Sequence, residues 1–104
     1  MSKLRKAVRE LSRRARSGNR EAVQSLLSHS IWLGHSRLAL RRLLLLQEMG
    51  GQPSGLELEF CVSFARTLDR EVLLQMQEDA RQSARIFLNR ADPKIPAPPM
   101  AAAS

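Results

Sequence analysis

The sequence predicts an all-α fold of about five helices, arranged as antiparallel hairpins in a small bundle, and three observations predict it. Leu and Arg dominate, Tyr is absent and β-branched residues are sparse, which favours helix over sheet. Apolar residues recur at three- and four-residue spacing through five successive segments. Glycine breaks at Gly18, Gly34 and the Gly50-Gly51 pair punctuate those segments. With 104 residues, 43% hydrophobic and 26% charged, the chain has the length and composition of one folded domain, expected over residues 1–91.

In the first segment Leu4, Ala7, Val8, Leu11 and Ala15 form a narrow apolar stripe on a basic helix expected from about Ser2 to Arg16. Gly18 suits its left-handed termination, and Asn19 can cap a second helix with Glu21 in its first turn. On that helix Ala22, Val23, Leu26, Leu27, Ser30 and Ile31 share a face, while Trp32 and Leu33 lie to its sides and Gly34 ends it. Ser36 is the expected N-cap of the third helix, which holds "RLALRRLLLLQEMGG" and stops at Gly50.

That third helix carries two arginines among its leucines. Arg41 falls on a narrow wedge with Arg37 and Glu48 and is expected to face solvent. Arg42 projects from the seam between two apolar sets, Leu38, Leu45 and Met49 on one side and Ala39, Leu40, Leu43 and Leu46 on the other. It is expected to snorkel to solvent or to meet a carboxylate from a neighbouring helix or a partner. A helix with two apolar faces is either the centre of the domain or has one face left for a partner.

"LELEFCVSF" alternates at first like a strand, but a lone strand would have no pairing partner elsewhere in the chain. At helical spacing Leu58, Phe60, Cys61, Val62, Phe64, Ala65 and Leu68 fill one arc and Glu59, Ser63, Arg66 and Thr67 the other, so a fourth helix is predicted. Asp69 can cap the fifth, running to about Arg90, with Val72, Leu73, Met76, Ala80, Ala84, Phe87, Leu88 and Ala91 on its apolar side. The two form a predicted hairpin over residues 55–91, following one over 19–50 and the basic helix over 1–18. Residues 92–104, "DPKIPAPPMAAAS", have no periodicity and are expected to be a flexible tail.

The net charge of +7 belongs to one segment: residues 1–20 hold Lys3, Arg5, Lys6, Arg9, Arg13, Arg14, Arg16 and Arg20 against Glu10 alone, and the other 84 residues are balanced. Any electrostatic partner is therefore expected to meet the N-terminal helix first. Arg5, Lys6, Arg9, Arg13, Arg14 and Arg16 form the candidate anion-binding set, and nucleic acid is the alternative partner class. Against nucleic acid stand two features: the helix contains no aromatic residue to stack on a base, and its apolar stripe needs packing.

Nothing in the chain spells out a chemistry. His29 and His35 lie six apart with no Cys, Asp or Glu at ligand spacing, so no metal site is expected. Cys61, the lone cysteine, sits on an apolar arc and reads as core; a chain without disulfides fits the cytoplasm. Glu57 with Glu59 and Glu78 with Asp79 read as solvated charge. No phosphate loop or nucleophile elbow occurs, so neither an enzyme, a cofactor nor a small-molecule substrate is expected. The paired arginines of "SRRARSGNRE" are followed by polar residues, unlike an export signal, and no apolar run approaches the roughly 20 residues a bilayer requires.

Gly34 in an inter-helix turn, Ala39 five residues later and Leu26 and Leu27 shortly before it resemble a tetratricopeptide or Sel1-type helical repeat. An offset of about 34 residues, the tetratricopeptide period, carries Gly34 to Leu68 in the next turn and Leu46 to Ala80. The resemblance spans residues 20–90; the family's aromatic and proline positions are missing, and Leu68 stands where the turn glycine would recur. It implies a protein-binding scaffold that presents a groove and has no catalytic residues.

The expected function is thus a non-enzymatic protein-interaction module: an adaptor, chaperone or assembly subunit, self-association included. Its candidate partner-binding residues are Trp32 and Leu33 as anchors, with Leu38, Arg42, Leu45 and Met49 on the third helix.

Overall fold

A computed structural model describes residues 2–90, with side chains from residue 5 onward. The described residues form five helices and no strand: α1 (Ser2–Arg16), α2 (Arg20–Trp32), α3 (Ser36–Glu48), α4 (Gly55–Ala65) and α5 (Arg70–Asn89). The expected tail, residues 92–104, lies outside the described residues.

The stripe on α1 is as shallow as its sequence: Ala15 is buried, Val8 and Leu11 are half-buried, and Ala7 is exposed. Gly18 adopts φ +92°, and Asn19 Oδ1 accepts the Ala22 N–H at 3.1 Å, so the chain leaves α1 and starts α2 within three residues. The α2–α3 turn departs slightly from expectation. Gly34 is left-handed at φ +74° and the His35 N–H bonds back to the Ser30 carbonyl, so α3 starts one residue early. His35 holds the N-cap position without a side-chain cap bond, and Ser36 is the first helical residue.

The fourth segment is a helix. Its start is a capping box: Ser54 Oγ accepts the Glu57 N–H at 3.2 Å while Glu57 Oε1 accepts the Ser54 N–H at 2.9 Å. The arc it buries is rotated from the one expected. Cys61 is buried and Phe60, Phe64 and Ala65 are half-buried, but Leu58 and Val62 are exposed and Glu57 is buried in their place. In α5 Met76, Ala80 and Ala84 are buried and Leu88 is exposed. Asp69 occupies the N-cap position there without a side-chain bond.

α3 is the hub, lying against α2, α4 and α5, while α1 packs mainly on α2 and touches α5. The core runs through Val23, Leu27, Ala39, Leu46 and Cys61, all essentially inaccessible to solvent. A helix covered by three others needs both its apolar sides for folding. Met49 is accordingly core, only 5% exposed, and Leu45 is half-buried against the same cluster. Neither is the partner contact the sequence suggested.

Candidate functional site

Among the described residues Arg42 meets no carboxylate, and its half-buried side chain turns back onto α2. Its Nη1 donates to the Leu26 carbonyl at 2.8 Å and to Ser30 Oγ, both on α2. The Ser30 hydroxyl donates in turn to the Leu26 carbonyl at 2.9 Å, which leaves its oxygen lone pairs facing the guanidinium. Burial pulls the Arg42 pKa below its ordinary value. Arg42 is therefore an internal clamp between α2 and α3 through Nη1, and this corrects its assignment to a partner surface.

Glu57 is the polar residue that the sequence reading misplaced. It is 9% exposed, and it accepts from Gln24 Nε2 at 2.7 Å and Ser28 Oγ at 2.5 Å, both on α2, as well as from Ser54. Burial pushes its carboxyl upward, but the hydrogen bonds from Ser28, Ser54 and Gln24 outweigh that and hold it below its ordinary value. The spacing Ser54-x-x-Glu57 was the available signal, since it marks a capping box ahead of an apolar run. Both polar nodes tie α2 to its neighbours, and neither faces an open cleft.

The surface that remains gathers at the α2–α3 turn. A shallow cleft of about 420 Å³ is lined by His35, Ser36, Arg37, Leu38 and Arg41. A second, of about 480 Å³, is lined by Ser36, Leu56, Glu59, Phe60, Ser63 and Phe64. Ser36 lines both clefts, which adjoin at the start of α3 and are together termed the trough. Leu56, 81% exposed, and Leu38, 38% exposed, are its apolar contributions to solvent, and the half-buried Phe60 and Phe64 contribute aromatic lining. Arg37 and Arg41 are exposed and, among the described residues, pair with no carboxylate.

No family model, curated protein or solved structure matches the chain.

The basic helix presents all six of its candidate anion-binding residues to solvent. They are not equivalent. Glu10 Oε1 lies 2.6 Å from Arg13 Nη2 and 3.3 Å from Arg14 Nε, and the hydrogen bond from Arg13 leads the effects that hold the Glu10 carboxyl below its ordinary value. Arg5, Lys6, Arg9 and Arg16 make no ion pair among the described residues. Arg5 and Arg9 line a small cleft of about 290 Å³ with Val8 and with His29 of α2. The His29 ring stacks on Trp32, with centroids 6.3 Å apart and planes 23° from parallel.

Trp32, 79% exposed, thus stands beside the arginines of α1 through His29, and it divides from Leu38, which lines the trough. Leu33, 43% exposed, occupies the C-cap of α2 in the turn between them. Among the described residues no three His, Cys, Asp or Glu side chains gather where they would hold a metal ion, and no helix is long and apolar enough to cross a membrane.

Proposed function

We propose that this chain is a non-enzymatic protein-interaction module whose trough around Ser36 receives an acidic amphipathic helix from a partner protein. The observation that carries the reading is the trough itself. Leu56 projects almost fully into solvent in the cleft it lines with Phe60, Phe64 and Glu59, and the adjoining cleft is lined by Leu38 with Arg37 and Arg41, which among the described residues pair with no carboxylate. An amphipathic helix lays an apolar stripe into such a groove, and carboxylates flanking that stripe would answer the two guanidinia. A second copy docked symmetrically on the same face answers them poorly, because it would set Arg37 and Arg41 against their own counterparts. The helical-repeat resemblance supports the same use, and a cytoplasmic setting suits the lone, buried thiol.

Panning a helical peptide library against the chain tests the proposal. The expected enrichment is for leucines at i, i+3 and i+4 flanked by Asp and Glu, with binding lost in Leu56→Asp and Leu38→Asp while far-ultraviolet dichroism is unchanged. Binders indifferent to both substitutions would overturn it. So would a homodimer in sedimentation that Leu56→Asp dissociates, since the trough would then belong to a second copy.

A further inference from the structure

α1 carries nearly all of the molecule's uncompensated charge and no aromatic residue, and the fold supplies the aromatic that α1 lacks. Because α1 and α2 are joined by a tight turn and pack on each other, the start of α1 lies beside the end of α2. That places Arg5 and Arg9 against His29, and His29 against Trp32. We propose that Arg5, Arg9, His29 and Trp32 form a binding site for single-stranded nucleic acid, with the two guanidinia on backbone phosphates and the Trp32 ring carrying a base.

Three features distinguish this site from a merely basic surface. The first is that, among the described residues, Arg5 and Arg9 make no ion pair: Glu10, the only acid in the first 20 residues, is taken up by Arg13 and Arg14, one turn further along. Arg5 and Arg9 are one helical turn apart on α1 and line a single cleft, so they can engage neighbouring phosphates of one strand. The second is Trp32, the chain's only tryptophan, whose ring is 79% exposed and so open to a stacking partner. The His29 ring lies nearly parallel to the indole, 6.3 Å away between centroids, which sets the tryptophan next to the residue that lines the cleft.

The third feature is shape. The cleft is small and brings Val8 and the His29 ring together with the two arginines, so a flat ring and its attached phosphates both find partners there. An indole at a surface can stack only on a base that is already out of a helix, which selects single strands over duplexes. This site lies on the α1–α2 side and shares no lining residue with the trough at Ser36. It therefore does not depend on the protein-binding proposal.

The single tryptophan makes the test direct. The full chain is titrated with oligouridylate and oligothymidylate, with a blunt duplex and with polyglutamate, following Trp32 emission and, separately, the anisotropy of a labelled strand. Single strands are expected to quench the emission saturably, and Trp32→Ala to weaken their binding by about tenfold, the scale of losing one stacked base. Trp32→Phe should recover most of that loss. The double variant Arg5→Ala with Arg9→Ala should lower the slope of log affinity against log salt by about 1.4, or roughly 0.7 for each lost phosphate contact. Leu56→Asp, in the trough, should leave all of these values unchanged. Binding without quenching, equal affinity for duplex, or an unaltered Trp32→Ala variant would overturn the site. Saturable quenching by polyglutamate that matches the oligonucleotides would give the cleft to an acidic protein instead.

Discussion

Replacing Glu57 by Ala should cost far more than its place among surface-type residues suggests, and the structure sets the size. The carboxylate accepts three hydrogen bonds, from Gln24 at 2.7 Å, Ser28 at 2.5 Å and the Ser54 N–H at 2.9 Å. Bonds to a charged acceptor contribute about 1.5–3 kcal/mol each, which would sum to about 4.5–9 kcal/mol against a typical domain stability of about 5–15 kcal/mol. The sum overstates the loss, because Ser28 is exposed and Gln24 half-buried, and both regain water when the carboxylate is gone. The remainder is the N-terminal cap of α4 and the tie from α4 to α2, or about 2 kcal/mol. On a domain of this size that lowers the melting temperature by roughly 8–16 °C.

The pH dependence gives the sharper check. The folded-state pKa of Glu57 lies below its unfolded value, so its stabilisation is complete at neutral pH. It disappears as pH falls from the ordinary carboxylate range through the depressed folded value. Urea unfolding of wild type and Glu57→Ala, followed by circular dichroism, should show a gap of about 2 kcal/mol at neutral pH that narrows as the pH falls through the carboxylate range. A gap under about 0.5 kcal/mol at neutral pH, or one that stays constant into acid, would refute the reasoning.

Four further outcomes follow from the packing. Arg42→Met keeps the aliphatic stem and leaves the Ser30–Leu26 bond intact, so it should destabilise by only about 1 kcal/mol. Arg42→Glu sets a carboxylate against the Leu26 carbonyl and should cost about 3 kcal/mol or more; equal urea midpoints for the two variants would contradict the clamp. Gly51→Ala would bring a Cβ to within 2.9 Å of Leu46 Cγ and 3.3 Å of its carbonyl oxygen, displacing a core leucine at about 1–3 kcal/mol. Gly55→Ala meets nothing within 4 Å at the start of α4 and should be neutral or stabilising in the same melts. Burial, aided by the charge of Glu57, pushes the Cys61 thiol up to about 11, so a thiol reagent at about pH 8 should react only after denaturant is added. Rapid modification of the native chain would place that thiol outside the core.

Elements whose signals are local were legible in the sequence. Gly18, Asn19 and Gly34 mark the ends of α1 and α2 because left-handed glycines and side-chain caps act within a few residues. The helical arc of α4 was legible as well, but not its rotation. Phe60, Cys61 and Phe64 were placed on the packed side, whereas Leu58 and Val62 face out because hydrogen bonds from α2 draw Glu57 inward, and a hydropathy wheel counts a carboxylate as outward. The two apolar sides of α3 pointed to a hub or to a docking face; which one applied depended on where α5 lay, so Leu45 and Met49 were assigned to a partner and belong to the core. Trp32 and His29 sit three apart on α2, a pairing visible in the sequence. Their place beside Arg5 and Arg9 follows from the α1–α2 packing and was beyond any pattern within one helix.

Whether the trough at Ser36 is a docking face is tested most directly by titrating the isotope-labelled chain with a synthetic acidic amphipathic helix and following its amide resonances. The account predicts saturable shifts at Ser36, Leu38, Leu56 and Phe60 that vanish in Leu56→Asp. Shifts confined to the arginines of α1, or none that saturate, would contradict it.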